Sequence, residues 1–288
     1  MNKVALVTGA SRGAGRGIAH GFGELGYTVY VTGRTTAPGA ARGWDGSVLP
    51  GTVLETAAQV TAAGGKGIPV VCDHGDDAQV AALFEQIVQE QGRLDVLVNN
   101  AAFIHHQLIS KLPFWEKELG AVDILDVGLR SAYVASWHAA RIMVPQGDGI
   151  IAFGSSFGGS CYMHGPAYGA QKAGIDKFAH DMEHDLRGTG VTAVSIWMGP
   201  LVTERSLIAR QTNPEQYDDL IAAAENPEFT AYIVDAIAAA ANRGELSGQT
   251  LIGAEIAKTL GITDRGVERP SYREMLGSPR PKNPAAVY

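Results

Sequence analysis

The chain has 288 residues, 45% of them hydrophobic and 18% charged, an ordinary globular balance with ample material for a core. Its formal charge of −7, with no compensating lysine–arginine run, argues against a nucleic-acid-binding surface. Two cysteines, Cys72 and Cys161, make no disulfide framework and suit a reducing compartment. With no removable leader and no apolar run near the roughly 20 residues of a membrane span, the sequence reads as cytoplasmic, with no membrane partner.

A strand is predicted over 4–8, where Val4-Ala5-Leu6-Val7 is wholly apolar. It runs into Thr8-Gly9-Ala10-Ser11-Arg12-Gly13-Ala14-Gly15, and helical spacing follows over 14–25. Glycines there let the backbone turn sharply and approach a pyrophosphate, while the helix N-terminus offers free N–H donors and partial positive charge. The spacing is G-x-x-x-G-x-G, not the G-x-G-x-x-G of the standard dinucleotide fingerprint. The second strand, over 28–32, ends in Tyr30-Val31-Thr32-Gly33-Arg34-Thr35 and carries no acid to hold a ribose 2′-hydroxyl. Arg34 and Arg12 instead suit a 2′-phosphate, which predicts NADP(H), with NAD(H) as the alternative.

Residues 35–52, rich in Gly, Pro and Ala, predict a long loop. Beyond it, helices are predicted over 53–63, 76–91, 115–144, 167–187 and 230–242, and strands over 67–72, 94–99, 149–154, 191–197 and 250–252. Strands such as Leu94-Asp95-Val96-Leu97-Val98 are nearly all apolar, as strands buried on both faces are. The alternation predicts an α/β Rossmann-like fold: a doubly wound parallel sheet of about seven strands with helices on both faces. We read one domain over 1–288, with an irregular tail from about 266 that carries Pro270, Pro279, Pro281 and Pro284 and lies along the surface or a partner.

Taken with the Gly-rich turn, Asn99-Asn100-Ala101-Ala102, Ser155-Ser156 and Tyr168-Gly169-Ala170-Gln171-Lys172 resemble the short-chain dehydrogenase/reductase family. The resemblance runs from about Lys3 to Ile252. Asp126-Val127-Gly128-Leu129-Arg130-Ser131 and Trp197-Met198-Gly199-Pro200-Leu201-Val202-Thr203-Glu204 are similar to one branch of it, typified by an NADPH-linked carbonyl reductase. The resemblance implies that Gly9, Ser11, Arg12, Gly13 and Gly15 form the phosphate loop. It places Asp73 and His74 beside the adenine, and Asn99 and Ala101 below the adenosine ribose. It makes Gly199, Leu201 and Thr203 the turn that holds the nicotinamide carboxamide. Ser156, Tyr168 and Lys172 become the catalytic residues, with Tyr168 and Lys172 also touching the cofactor and Ser155 as the alternative serine. It further implies a small-molecule carbonyl or alcohol substrate and a homodimer or homotetramer.

Tyr168 and Lys172 are four apart and share a helix face. An ammonium beside the phenol is expected to draw its pKa down from near 10, toward the range where acid/base catalysis is efficient. The hydride is the cofactor's. Gly128 stands where most of the family has asparagine, Ala102 where glycine is usual and Met198 where proline is usual. A non-catalytic NADP-binding sensor is the rival reading that Gly128 raises.

No Cys/His spacing suggests a metal. His180-Asp181-Met182-Glu183-His184 has the H-x-x-E-H spacing of one protease class but projects away from Lys172 along the helix. His105 and His106 follow the fourth strand and either line a substrate pocket or lie on the surface. Phe103, Trp115, Tyr162, Met163 and Leu207 are the expected walls of an apolar substrate pocket. Leu207, Ile208 and Tyr217 suit either a lid or simple helix packing.

Overall fold

Val4 and Leu6 of strand β1 (Val4–Val7) pack into one hydrophobic cluster, and Ala5 and Val7 into another on the opposite face. Period-two alternation with both faces apolar is what a strand needs when helices cover it above and below. The computed structural model describes residues 2–43, 46–281, 283 and 285–288, and only the backbone of Thr212 and Gln216. After β1 come α1 (Gly13–Glu24), β2 (Thr28–Gly33), β3 (Ala41–Arg42), β4 (Val48–Leu49), α2 (Val53–Ala62), β5 (Lys66–Val71), α3 (Asp77–Gln91) and β6 (Val96–Asn99). The second half holds α4 (Ser131–Gln146), β7 (Gly149–Ser155), α5 (Pro166–Leu186), β8 (Val191–Trp197), α6 (Glu204–Thr212), α7 (Pro214–Ala222), α8 (Phe229–Ala239), α9 (Arg243–Leu246), β9 (Thr250–Ile252), α10 (Gly253–Leu260) and α11 (Arg273–Leu276).

The main sheet has seven strands in the order β5-β2-β1-β6-β7-β8-β9, every pairing parallel. This is the Rossmann-like doubly wound sheet expected, and the seven predicted strands fall within two residues of the observed ones. One core packs Ile18, Phe22, Val60 and Val234 against Ala5, Val7 and Val31; the other packs Leu83, Phe84, Ala135, Met143 and Ile175 against Leu6, Tyr30 and Leu97. Strand order reverses between β1 and β6, and ligands of such sheets bind in the crevice at the carboxyl ends there. The segments after β1 and β6 both arrive at that crevice.

Three expectations need correction. The 35–52 loop contains an antiparallel hairpin, Ala41 opposite Leu49 and Arg42 opposite Val48; Trp44 and Asp45 lie outside the described residues. The helix expected over 115–144 is broken. A 3-10 stretch (Leu119–Ile124) leads into a widened turn (Leu125–Arg130), and regular α4 starts only at Ser131. Gly128 has φ 149°, which L side chains rarely adopt. Its neighbours' hydrogen bonds leave the helix: Val127 O accepts from Phe103 N (2.7 Å), Gly128 O from Gln171 Nε2 (2.9 Å), and Gly128 N donates to Ser131 Oγ (3.0 Å). Apolar spacing continued across a point where the backbone turns outward. Lastly, the segment from 266 holds the short α11, and its Tyr272 and Leu276 pack on Phe157, Trp197 and Ile252; Pro284 lies outside the described residues.

Candidate active site

The Gly-rich turn begins where β1 ends. Thr8 Oγ1 accepts from the Asn100 and Ala101 amides, both at 2.9 Å, which ties the turn to the segment after β6. Gly9 has φ 67°, and a Cβ there would stand 2.7 Å from Ala101 Cα; one on Gly15 would stand 2.4 Å from Asn100 Nδ2. The two segments therefore meet at backbone distance, as only glycine allows. Around this turn lies a cleft of about 670 Å³. Of the predicted cofactor residues, Gly9, Ser11, Arg12, Gly13, Gly15, Arg34, Asp73, His74, Ala101 and Thr203 line it. Asn99, Tyr168, Lys172, Gly199 and Leu201 do not; Asn99 is buried, and its Nδ2 donates to Ser136 Oγ (2.9 Å), fastening α4 to the sheet.

The cleft is rich in arginine. Arg12 donates to the carbonyl oxygens of Pro50 (3.3 Å) and Gly51 (2.8 Å). Burial first, then the charges of Arg16 and Arg34, hold its guanidinium pKa below the usual value despite Glu204. Arg34 is 63% exposed and lies 3.6 Å from Asp73. Arg42 of the hairpin also lines the cleft, a cation the sequence reading missed.

Three observations fit this cleft to a dinucleotide. The imidazole of His74 is buried, with Nε2 2.8 Å from Thr32 Oγ1. That hydroxyl also lies 3.2 Å from Val7 O and spends its proton there, so Nε2–H donates to it. His74 Nδ1 is then a buried acceptor without a partner. Burial pushes the His74 pKa down to about 4. At Gly13 a Cβ would project into space where the nearest atom is Glu204 Oε2 at 4.0 Å, so glycine keeps the helix end open. That carboxylate accepts the Gly13 N–H at 3.0 Å and so takes the position an anionic ligand would take on the N-terminus of α1.

Ser156 follows β7, and Pro166 occupies the first position of α5, where its missing N–H costs nothing. Ser156 Oγ and Tyr168 Oη are 2.9 Å apart. Ser155, the alternative, is fully buried; its hydroxyl interacts favourably with the Asp176 carboxylate, although not with regular hydrogen-bond geometry. Lys172 is buried, donates to Gly154 O (3.0 Å), and has Nζ 5.5 Å from the centre of the Tyr168 ring. Burial lowers its pKa to about 8, while Asp176 one turn further along α5 opposes the shift. The Tyr168 phenol departs from expectation. Burial pushes its pKa up, and the Ser156 hydrogen bond only partly offsets this. The Cys161 thiol adds to the rise.

A second cavity of about 370 Å³ shares Phe103 with the cleft and reaches Tyr168. Its walls are mostly apolar, including Leu108, Phe114, Leu119, Val122 and Ile124. Phe103 is the one expected wall that lines it; Trp115 (71%) and Tyr162 (81%) are exposed, Met163 packs by the Phe157 cluster, and Leu207 lies elsewhere on α6. His105 lines this cavity, and its Nε2 lies 3.5 Å from Glu118, which His106 also meets at 3.2 Å. His105 Nδ1 accepts from Gln107 N (3.2 Å), so Nε2 carries the proton and points it at the carboxylate. The ligand atoms of His105, His106 and Glu118 lie within 4.8 Å of one another. His180 and His184 bind Asp181 and Tyr288 on the far side of α5.

A family model for short chain dehydrogenases matches residues 3–214. The chain belongs to the short-chain dehydrogenase family. Within it, the chain falls in the branch of Dehydrogenase/reductase SDR family member 1. The Mus musculus protein of that name is 40% identical over 275 residues, covering 91% of this chain and 83% of its own. The Homo sapiens protein is 38% identical over 273 residues, with the same coverage of each. Among solved structures, a short-chain type dehydrogenase/reductase from Mycobacterium marinum superposes with TM-score 0.68 at 25% identity, covering 87% of this chain and 93% of that one. A Beutenbergia cavernae protein, described as an NAD(P)-dependent gluconate 5-dehydrogenase and solved with NADP at low occupancy, gives 0.69 at 28% identity, covering 88% and 97%. This short-chain dehydrogenase is thus a nucleotide-binding oxidoreductase by family. Among the described residues no helix is long and apolar enough to cross a membrane.

Glu204 and Arg42 at the cleft and Asp176 beside Lys172 had no role in the sequence-based expectations. Only Asp176 had a legible signal, standing four residues after Lys172 on one helix face.

Proposed function

We propose that this short-chain dehydrogenase uses NADP(H) to interconvert a carbonyl and an alcohol on a small, largely apolar substrate, working chiefly as a ketone reductase. The observation that carries the reading is the 2.9 Å contact between Ser156 Oγ and Tyr168 Oη at a cavity with apolar walls. Arg12, Arg34 and Arg42 at the cleft, with no acid at the end of β2, support the phosphorylated cofactor. A Beutenbergia cavernae structure with NADP is in line with it.

The residues divide the work. Gly9–Gly15 and the α1 N-terminus receive the pyrophosphate, His74 Nδ1 accepts a donor from the adenine side, and Thr203 stands at the nicotinamide end. When bound, the cofactor supplies or takes the hydride. Ser156 donates a hydrogen bond to the substrate oxygen, and Tyr168 donates its phenolic proton to that oxygen as the carbon gains hydride. The resulting phenolate is steadied by the Lys172 ammonium beneath it and regains its proton from solvent. In oxidation each proton movement reverses. The apolar walls favour a ketone with an aliphatic or ring body. We also assign the exposed Tyr133 and Trp137 of α4 to a contact between copies in a homodimer or homotetramer.

Titration of the purified protein with NADPH and NADH, followed by fluorescence or calorimetry, tests this. NADPH is expected to bind at least tenfold more tightly, about 1.4 kcal/mol. Equal or tighter NADH binding overturns the cofactor assignment. With cofactor saturating, apolar ketones should turn over and Tyr168→Phe should not, while still binding NADPH; failure of every ketone in a panel overturns the reductase reading.

A further inference from the structure

Lys117 stands on a wall of the second cavity that is otherwise mostly apolar, the same cavity that Tyr168 reaches. Its ammonium donates to Leu108 O and His164 O, both at 3.3 Å, which is long for an N–H···O bond. It thereby ties the segment after β6 to the loop before α5. Those bonds use two of its three donors. Among the described residues Lys117 has no ion-pair partner. Glu118, the one acid on these walls, faces His105 and His106 instead, at 3.5 and 3.2 Å. His164 has φ 60° and Gly165 has φ 105°, in the left-handed region that residues other than glycine rarely enter. This turn aims the His164 carbonyl at the ammonium. A Cβ on Gly165 would stand 3.6 Å from Lys117 Nζ, so the missing side chain leaves that face of the charge uncovered. The His164 ring meets the Tyr168 ring edge-on, with centres 5.0 Å apart. One residue thus links the unpaired charge to the reactive phenol.

We propose that Lys117 selects the substrate: its ammonium binds a carboxylate carried by the ketone, so the preferred substrate is an oxo acid with an apolar body. This rests on the reductase reading above and names its substrate class. A cation without a counter-charge on an apolar wall favours an anion over a neutral group, because the attraction is poorly screened there and both charges gain a partner. One ammonium balances the single charge of a carboxylate but leaves the second charge of a phosphate monoester uncovered, so the carboxylate fits better. His164 offers no second cation, since desolvation, then the charges of Lys117 and Lys172, lower its pKa. A cavity of about 370 Å³ is near the small end for ligand pockets and suits a compact acid. The carboxylate takes no part in the chemistry. Hydride still passes from NADPH to the carbonyl carbon and the proton from Tyr168 to its oxygen, giving a hydroxy acid and NADP+.

The test pairs levulinate, its longer homologues and acetylbenzoate each with its own primary amide, which keeps the shape and removes the charge. Rates at saturating NADPH give kcat/KM. We expect at least one acid to exceed its amide about tenfold in wild type, and Lys117→Met to bring that ratio within about twofold of unity, mostly through KM. Lys117→Arg keeps the charge and should retain most of the ratio. Lys117→Gln, which can still donate to both carbonyls, serves in place of Lys117→Met should that variant not fold. Equal turnover of every acid and its amide in wild type overturns the proposal. So does a loss in Lys117→Met shared equally by acid and amide, which a merely structural tie would give. Calorimetric titration of the acids into the NADP+ complex and into cofactor-free protein reads binding without turnover. There the acids should bind wild type about tenfold more tightly than Lys117→Met; equal affinity overturns the proposal. If the acids bind through Lys117 and no ketone is reduced, the reductase reading fails while the anion site stands. If apolar ketones are reduced and no acid outruns its amide, the anion site fails alone.

Discussion

Glu204 holds the Gly13 N–H at 3.0 Å on the first turn of α1, and the same carboxylate pairs with Arg16 at 2.5 Å. A negative charge thus sits on the helix end that a pyrophosphate would use, and the two compete. Glu204→Gln removes the competitor and frees the Arg16 charge. Cofactor affinity should rise two- to tenfold at low ionic strength, up to about 1.4 kcal/mol, in keeping with charge effects at helix ends. The gain should shrink as salt is added. Unchanged or weaker binding in a calorimetric titration would show that the carboxylate does not contest the site.

Burial lowers the Lys172 pKa to about 8 and pushes that of the Tyr168 phenol upward. If the proposed ketone reduction holds, its falling limb is expected to belong to the lysine. Rate per unit substrate should be level below this value and decline above it as the ammonium is lost. The Asp176 charge raises the lysine's pKa, so Asp176→Asn should move the limb to lower pH. Asp176 accepts from Ser195 Oγ (2.6 Å) and Trp197 Nε1 (2.9 Å), so thermal melts accompany the kinetics to separate loss of fold. A limb that stays in place would remove Lys172 as its source.

Two buried groups make opposite contributions to stability in nearly the same pH window. The His74 pKa falls from 6.5 to about 4, so its stabilisation is full above 6.5 and is lost as pH drops toward 4. The Glu225 pKa rises from 4.5 to about 7, so its contribution is most favourable below 4.5 and is lost as pH climbs through 7. Each is worth about 3 kcal/mol at most. Relative to wild type, His74→Gln should gain stability as pH falls from 6.5, and Glu225→Gln should gain it as pH rises from 4.5. Urea titrations across this range read both; a difference that does not change with pH would refute the corresponding burial argument.

Gly128, with φ 149° and a would-be Cβ 3.2 Å from Gln171 Cγ, should resist any side chain. Gly128→Ala is expected to cost about 1–3 kcal/mol in chemical denaturation. It should also loosen the Gln171–Gly128 bond beside Lys172. An unchanged or raised melting temperature would contradict this.

The sheet was legible because its strands are short apolar runs separated by helical spacing, and the closeness of Tyr168 and Lys172 because they sit four apart on one helix face. The missing parts depend on contacts distant in the chain. Two-residue strands such as Ala41–Arg42 carry too little pattern to announce a hairpin. A lone glutamate reads as surface, and nothing local to Glu225 or Glu204 shows that one is buried behind Gly199 and the other lies on Gly13. The break at Gly128 escaped for a different reason: a glycine inside a periodic stretch does not say whether the helix tolerates it or turns there.

The support of the 199–203 turn has an order in time. Glu225 and the Asp264–Tyr272 segment behind it are made long after the Gly-rich turn, so β1 and α1 leave the ribosome well before the residues that support the turn after β8. Tyr272 meets Phe157 with ring centres 6.3 Å apart, so the serine loop too waits for the same late residues.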